Sequence, residues 1–410
     1  MRRTSASRML AIRRSSGALL ALSLCILIVT AACGDGASPT ATVATAPTAT
    51  ASAAATSTST SGGTAATPTA GAETPTTAPE STATVSAAAP TATSTEATPS
   101  DATLTVYSGQ HESLTKALAD GFTKATGIKV EVRVGSDAEL ANQIIEEGDR
   151  AKADVFITEE PSQAGALDGR GLFEAVDPGT LAHVDGRFNP ASGNWVAYAA
   201  RSRVIFYNPD KISEAELPQS ILDLANPEWK GKFAYAPSGA FTATVTYLIN
   251  TIGEDATLEW LKGIKANGEN LQKNGAIRDA VEAGQISFGL SNHYYWYILA
   301  QQQGGQDKLK SKVHYMSGGD PGALVLASGA GILKTSTHQA EAQRFLAWLT
   351  DADGGQQVIA TTTPQYPLAP GVTSSMGLRP LDQLDPPAFD QGSLQDVSKA
   401  RDLIIEAGIV

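Results

Sequence analysis

Residues 104–160 read LTVYSGQHESLTKALADGFTKATGIKVEVRVGSDAELANQIIEEGDRAKADVFITEE, and their periodicity decides the fold. Leu104-Thr105-Val106-Tyr107 alternates as a strand, and Ser108-Gly109-Gln110-His111 turns out of it. Leu114, Leu118 and Phe122 then recur at helical spacing until Gly127 ends the helix. Ile128, Val130, Val132 and Val134 alternate as a second strand. Ser136-Asp137-Ala138-Glu139 is a capping box, in which the serine and glutamate side chains satisfy each other's backbone N–H groups. It opens a helix with Leu140, Ile144 and Ile145 on one face, and Asp154-Val155-Phe156-Ile157 makes a third strand. Strand, helix, strand, helix, strand with short connections is the α/β class, a parallel sheet with helices on both faces. Ligands of such sheets bind beyond the carboxyl ends of the strands. His111 and Glu159 both stand just after a strand, where that rule places a ligand.

Working outward, residues 201–207 (Arg-Ser-Arg-Val-Ile-Phe-Tyr) read as a strand that crosses into a second lobe. Lys230 to Tyr235 leads into Pro237-Ser238-Gly239-Ala240 and an apolar helix through Ile249. Ser238 suits an N-cap, and the free amides of Gly239 and Ala240, with the helix dipole, would make an anion site. A simple helix cap accounts for these residues equally well. Trp260 to Ala266 reads as a short helix, Asn274 opens another around Val281, and Ile286 to Leu290 is a strand. That strand runs into Ser291-Asn292-His293-Tyr294-Tyr295-Trp296-Tyr297, which holds three of the ten tyrosines of the chain. Adjacent side chains diverge by roughly 100° on a helix and point oppositely on a strand. Two adjacent phenols therefore serve one ligand only from a helix end or an irregular turn. On its own the pair fits an aromatic core cluster better than a metal site. Val313 and the run Gly322 to Leu326 suggest a second crossing back to the first lobe, and Ala340 to Leu349 is an amphipathic helix. A last helix starts at about Ser393, capped against Asp396, with Val397, Leu403 and Ile404 inward.

The amino-terminal hundred residues are a different kind of polymer. Residues 1–32 carry five arginines and no acid, with an apolar run from Gly17 to Val29 that ends at Thr30-Ala31-Ala32-Cys33. This pattern predicts a lipoprotein signal peptide and lipid on Cys33. The other cysteine, Cys25, lies inside the removed segment, so a cysteine-ligated metal and a thiol nucleophile are excluded. Residues 33–100 are Thr/Ala/Pro/Ser-rich, with too little bulky apolar surface to fold, and predict a disordered tether reaching on the order of 45 Å. Five of the 30 basic residues fall in 1–32 and four of the 42 acids in 33–100, so residues 101–410 carry a net charge of about −13. Nucleic acid is a poor partner for such a surface. About 310 residues exceed what one core usually supports. Two lobes are expected, 101–200 with 325–375 and 201–324 with 376–410.

No Gly-x-Ser-x-Gly elbow, phosphate loop, Gly-x-Gly-x-x-Gly or His-Glu-x-x-His occurs, and the reading is of a binding protein rather than an enzyme. The positive signal is a combination. His111, Glu159, Tyr294 and Tyr295 all fall at element ends that can face one cleft. One carboxylate and two phenolates carry three negative charges, which match a trivalent cation, while imidazole adds a neutral nitrogen. Divalent magnesium and calcium seldom recruit phenols, so ferric ion is the best chemical match. Phenols must lose protons to bind it, and affinity should fall with acidity.

The chain resembles the ferric-ion-binding proteins that deliver iron to ABC transporters. The resemblance runs from about Leu104 to the C-terminus through Val106-Tyr107-Ser108-Gly109-Gln110-His111, Gly127-Ile128-Lys129-Val130, Ala153-Asp154-Val155-Phe156 with Thr158-Glu159, Ser238-Gly239-Ala240-Phe241, Asn292-His293-Tyr294-Tyr295-Trp296-Tyr297 and Asp320-Pro321-Gly322-Ala323-Leu324. It implies a two-lobed periplasmic-binding-protein clamp, like a transferrin lobe, hinged on crossing strands. It implies Fe³⁺ held by His111 and Glu159 of the first lobe and Tyr294 and Tyr295 of the second. Ser238, Gly239, Ala240, Asn274 and Asn292 match the positions that hold a synergistic anion, carbonate or phosphate, with Glu160 beside them. Glu160 departs from the glutamine of better-known members, and an ionised carboxylate there would repel such an anion. His293 replaces a common asparagine and is read as a bystander. The resemblance further implies an exported monomer, periplasmic or lipid-anchored to the outer face of the cytoplasmic membrane, serving an ABC permease and its ATPase. The alternative is a binding protein for an oxyanion or small organic solute on the same fold.

Overall fold

The computed structural model describes residues 101–409, so the expected signal peptide, the lipid site at Cys33 and the tether lie outside the described residues. The first half of the described chain runs β1 (Thr103–Ser108), α1 (Glu112–Thr126), β2 (Lys129–Val134), α2 (Asp137–Glu147), β3 (Val155–Thr158), α3 (Pro161–Asp168), a single turn α4 (Pro178–Leu181) and β4 (Val196–Tyr207). It continues through β5 (Phe233–Tyr235), α5 (Gly239–Ile252), α6 (Glu254–Asn267), β6 (Glu269–Asn270), α7 (Asn274–Glu282), β7 (Phe288–Asn292) and α8 (His293–Gln303). Then come β8 (Lys312–His314), β9 (Val325–Ile332), α9 (Gln339–Thr350), α10 (Gly355–Thr362), β10 (Tyr366–Pro367) and α11 (Val397–Glu406).

The strand–helix alternation of residues 104–157 forms as expected. β1 pairs in parallel with β2 and β3, and α1 buries Leu114, Leu118 and Phe122. Both halves of the Ser136–Glu139 capping box are made. β2 pairs only with β1, at the edge of the sheet, which leaves its apolar face half covered and Val134 46 % exposed.

β4 is where the two halves of the molecule are joined. All of its residues are buried, and it changes partners in mid-course. Val196 to Ser202 pair antiparallel with β9, whereas Arg203 to Tyr207 pair with β7 and the last three of these also with β8. The order β2-β1-β3-β9-β4-β7-β5-β6 thus runs from one lobe into the other. The first core gathers Leu104, Phe122, Phe156, Trp195, Ala200 and Phe345. The other lobe holds a core of Ile205, Phe233, Phe241, Trp260, Phe288 and Ile404, and a smaller one around Ile277 and Trp296. Each fully buried side chain of this size contributes about 1.5–3 kcal/mol.

Several element boundaries differ from the sequence reading. The strand expected at 201–207 begins at Val196, because residues buried on both faces do not alternate. The short helix at Trp260 is 14 residues long and starts at Glu254. Pro321–Ala323 forms a tight turn, and the returning strand starts only at Val325. Ser393 lies in a separate turn, so the last helix begins at Val397, which is half-buried, and Asp396 rather than Ser393 stands at its cap.

Candidate metal centre

The site starts from the end of β7. That strand stops at Asn292 and α8 begins at His293, so Tyr294 and Tyr295 occupy the first helical turn. Their rings stack at 4.3 Å between centroids and 27°. The adjacent phenols thus come side by side at a helix end, as the sequence reading required. Tyr294 is only 2 % exposed, and Tyr295 is half-buried. Burial first, then the charge of Glu159 and the Tyr295 phenol, push the Tyr294 hydroxyl above its ordinary value. Trp296 and Tyr297 pack behind them in the core, with the indole N–H donating to Ser311.

His111 and Glu159 arrive from the other lobe. His111 stands at the start of α1 with its ring 5.6 Å from that of Tyr294, edge-on. Its Nε2 lies 3.8 Å from Glu159 Oε1, and its side chain is 47 % exposed, so it forms the open rim. Glu159 directly follows β3. Its backbone carbonyl accepts from Arg201 Nη1 and, at 3.3 Å, from Ser328 Oγ. Its Oε1 is buried and makes no hydrogen bond among the described residues. A buried carboxylate oxygen without a donor is costly unless a cation faces it. The four hard donors form one continuous group, and their combined charge suits a trivalent ion. Among the described residues no three or more His, Cys, Asp or Glu converge on a metal site, so His111 and Glu159 need further donors, which the adjacent phenols can supply.

Behind the donors lies a charged layer. Arg201 is fully buried on β4, with Nη2 2.7 Å from Glu160 Oε2 and Nε 3.6 Å from Glu159 Oε1. Burial opposes its charge, but Glu160 and Glu159 outweigh that and raise the guanidinium. Arg203 is also buried; desolvation lowers it to about 10, against the pull of Glu160, and it donates to Asn292 Oδ1 at 2.8 Å. Burial raises Glu160 and Arg201 pulls it back. Asp137 accepts from the Glu159 and Glu160 amides at 3.1 and 3.0 Å and so fixes the turn after β3. Desolvation carries its carboxyl up to about 7. Gly109 is required beside it, since a Cβ there would lie 1.6 Å from Asp137 Oδ1.

The expected anion residues divide. Ser238 sits at the cap position of α5, but its hydroxyl accepts from Asn274 Nδ2 at 3.2 Å instead of capping the helix. Gly239 faces Glu160, Ala240 is buried with Leu324, Leu326 and Leu394, and Asn292 is turned to Arg203.

Residues 107–356 match the family model described as bacterial extracellular solute-binding protein. The Fe(3+)-binding periplasmic protein of Serratia marcescens is 43% identical over 317 residues, 77% of this chain and 93% of that protein. The chain belongs to the bacterial extracellular solute-binding proteins. Among solved structures, iron-bound HitA from Pseudomonas aeruginosa superposes with a TM-score of 0.70 at 40% identity, covering 75% of this chain and 99% of that one. A Trichodesmium protein (IdiA, FutA) in complex with iron and citrate gives 0.66 at 27% identity, over 75% and 99%. The family is one of substrate binders rather than a class of catalysts.

In this solute-binding protein several site residues escaped the sequence reading. Arg201 and Arg203 sit within an apolar strand, and two cations there are a signal of buried charge that the strand pattern alone does not interpret. Asp137 was legible only as part of a capping box. His293 is no bystander: it is fully buried, its Nδ1 accepts from the Ser202 amide at 3.1 Å, and it stacks on Tyr366 at 4.6 Å. Burial drops its imidazole to about 3, so it stays neutral and ties the start of α8 to β4.

Proposed function

We propose that this chain captures ferric iron outside the cytoplasm and hands it to an ABC permease and its ATPase, without a catalytic step. The observation that carries this reading is the meeting of His111 and Glu159 with Tyr294 and Tyr295, four hard donors drawn from both sides of β4. In this reading they are the iron ligands, and residues 101–200 with 325–375 and 201–324 with 376–410 are the lobes that close on the ion. Ligands divided between lobes make binding and closure one event. Lipid on Cys33 would hold the protein, as a monomer, at the outer face of the membrane, with residues 33–100 as its tether.

The test is Tyr295→Phe. It should weaken ferric binding by more than the about 10–100-fold that losing a hydrogen-bond partner of a ligand costs. The visible phenolate-to-iron band should weaken while the circular dichroism stays unchanged. Unaltered affinity with an unaltered band would remove Tyr295 from the site. One feature favours a second reading, a small organic solute: a cleft of about 760 Å³ beside Glu160, lined by Ser136, Gln163, Thr242 and Arg401. Purified protein that is colourless and carries an organic ligand by mass spectrometry would select it.

A further inference from the structure

His111 offers its imidazole from the rim of the metal centre, with its side chain 47 % exposed, so its position has to be set through the backbone behind it. The residue before it supplies that hold. Gln110 is buried, and its side-chain amide uses every donor and acceptor it has. Its Oε1 accepts from the His111 amide at 2.9 Å and from Gln365 Nε2 at 3.1 Å. Its Nε2 donates to Gln365 Oε1 and to the Tyr198 hydroxyl, both at 3.3 Å. Gln110 and Gln365 thus form a reciprocal amide pair, out of water, between residues 255 positions apart.

The pair is tied to the other donors as well. Tyr198 donates onward to the Thr158 carbonyl at 3.4 Å, and Thr158 immediately precedes Glu159. Tyr366, next to Gln365, pairs with Ala200 of β4 and stacks on His293 at 4.6 Å and 19°. His293 immediately precedes Tyr294, whose ring stands 5.6 Å from that of His111. Two consecutive residues therefore back the two halves of the site, Gln365 behind His111 and Tyr366 behind the tyrosines.

We propose that Gln365 is a positioning residue for iron binding, which through Gln110 sets where His111 meets the ion. This rests on the ferric reading above and deepens it. Without Gln365 the Gln110 amide keeps two of its four bonds and is free to turn, and the His111 amide loses an acceptor fixed in place. The tyrosines and Glu159 stay where they are, so the loss falls on the imidazole.

The experiment compares the native full chain with Gln365→Met, His111→Ala and the double variant, each loaded with ferric ion and challenged with a competing chelator. Nitrogen coupling to the ion, read by pulsed electron paramagnetic resonance, reports whether the imidazole is bound. Gln365→Met should bind iron about 10–100-fold more weakly, the range for loss of a residue that orients a metal ligand. Its nitrogen coupling should weaken while the phenolate-to-iron band is kept. In the His111→Ala background, Gln365→Met should change the affinity by less than about twofold. A Gln365→Met protein with native affinity and native nitrogen coupling overturns the proposal. So does an equal loss with and without His111, since a merely structural residue would weaken both backgrounds alike. Native protein that binds ferric ion with no nitrogen coupling overturns it too. If Gln365→Met does not fold, Gln365→Asn decides in its place, because it keeps a buried amide that is too short to reach Gln110. Native protein that binds no ferric ion defeats the ferric reading itself.

Discussion

At the scale of single residues, Arg201 governs the site without any donor atom to offer a metal. It is fully buried, it holds the Glu159 carbonyl, and its guanidinium lies against the carboxylates of both Glu159 and Glu160. Removing one partner of a buried ion pair costs about 3–5 kcal/mol, because the remaining charge is left uncompensated. Arg201→Met should therefore lower the stability of the iron-free protein by about that amount in a denaturant titration. A loss below about 1 kcal/mol, the range of exposed pairs, would show that these charges are solvated. Of the residues brought together here, His111 and Glu159 were legible from their place after strands, and the Tyr294–Tyr295 pair only in combination with them. The arginines were not, because what neutralises them comes from residues more than 40 positions away in the chain.

At the scale of elements, helix ends carry the chemistry and side-chain bonds hold them in place. α8 presents the two tyrosines, and its Trp296 is fastened to Ser311. Ser311 in turn is held by Glu282 at the end of α7, whose carboxylate accepts from the Ser311 amide and hydroxyl and from the Lys310 amide. Burial by itself would raise that carboxyl, but these hydrogen bonds outweigh it and hold it below the usual carboxylate range. A depressed carboxyl contributes stability that is present above its unfolded value and disappears as the pH falls through the folded one. Glu282→Gln should cost about 1–3 kcal/mol at neutral pH. Its deficit against the native protein should close as the pH drops below the ordinary glutamate value of 4.5, measured by thermal melts across pH. A deficit independent of pH would mean that the charge plays no part. α5 shows how an element can be legible and its use not. Its start reads in the sequence equally well as a simple cap or as an anion site; in the fold the cap serine is turned to Asn274 and the Glu160 carboxylate stands beside Gly239.

At the scale of the whole molecule, β4 is the only continuous strand among those described that pairs in both lobes, and His293 fastens the tyrosine helix to it through the Ser202 amide. Iron held by donors from both sides should protect both sides at once. Amide exchange should slow on iron loading at residues 109–112 and 293–296 together, and protection confined to one of these segments would contradict a shared site. Saturating iron at about 1,000 times the dissociation constant should add about 4.1 kcal/mol to the unfolding free energy. Tyr294→Phe combined with Tyr295→Phe should abolish that gain. By itself the sequence determined the α/β class and the two-lobed architecture, because periodicity and length are properties of local composition. Only the tertiary structure decided that His111, Glu159, Tyr294 and Tyr295 come together, that β4 begins at Val196, and that Glu160 reaches Gly239. Those depend on contacts between residues far apart in the chain, and whether a charge is paired or orphaned is settled only when such contacts form.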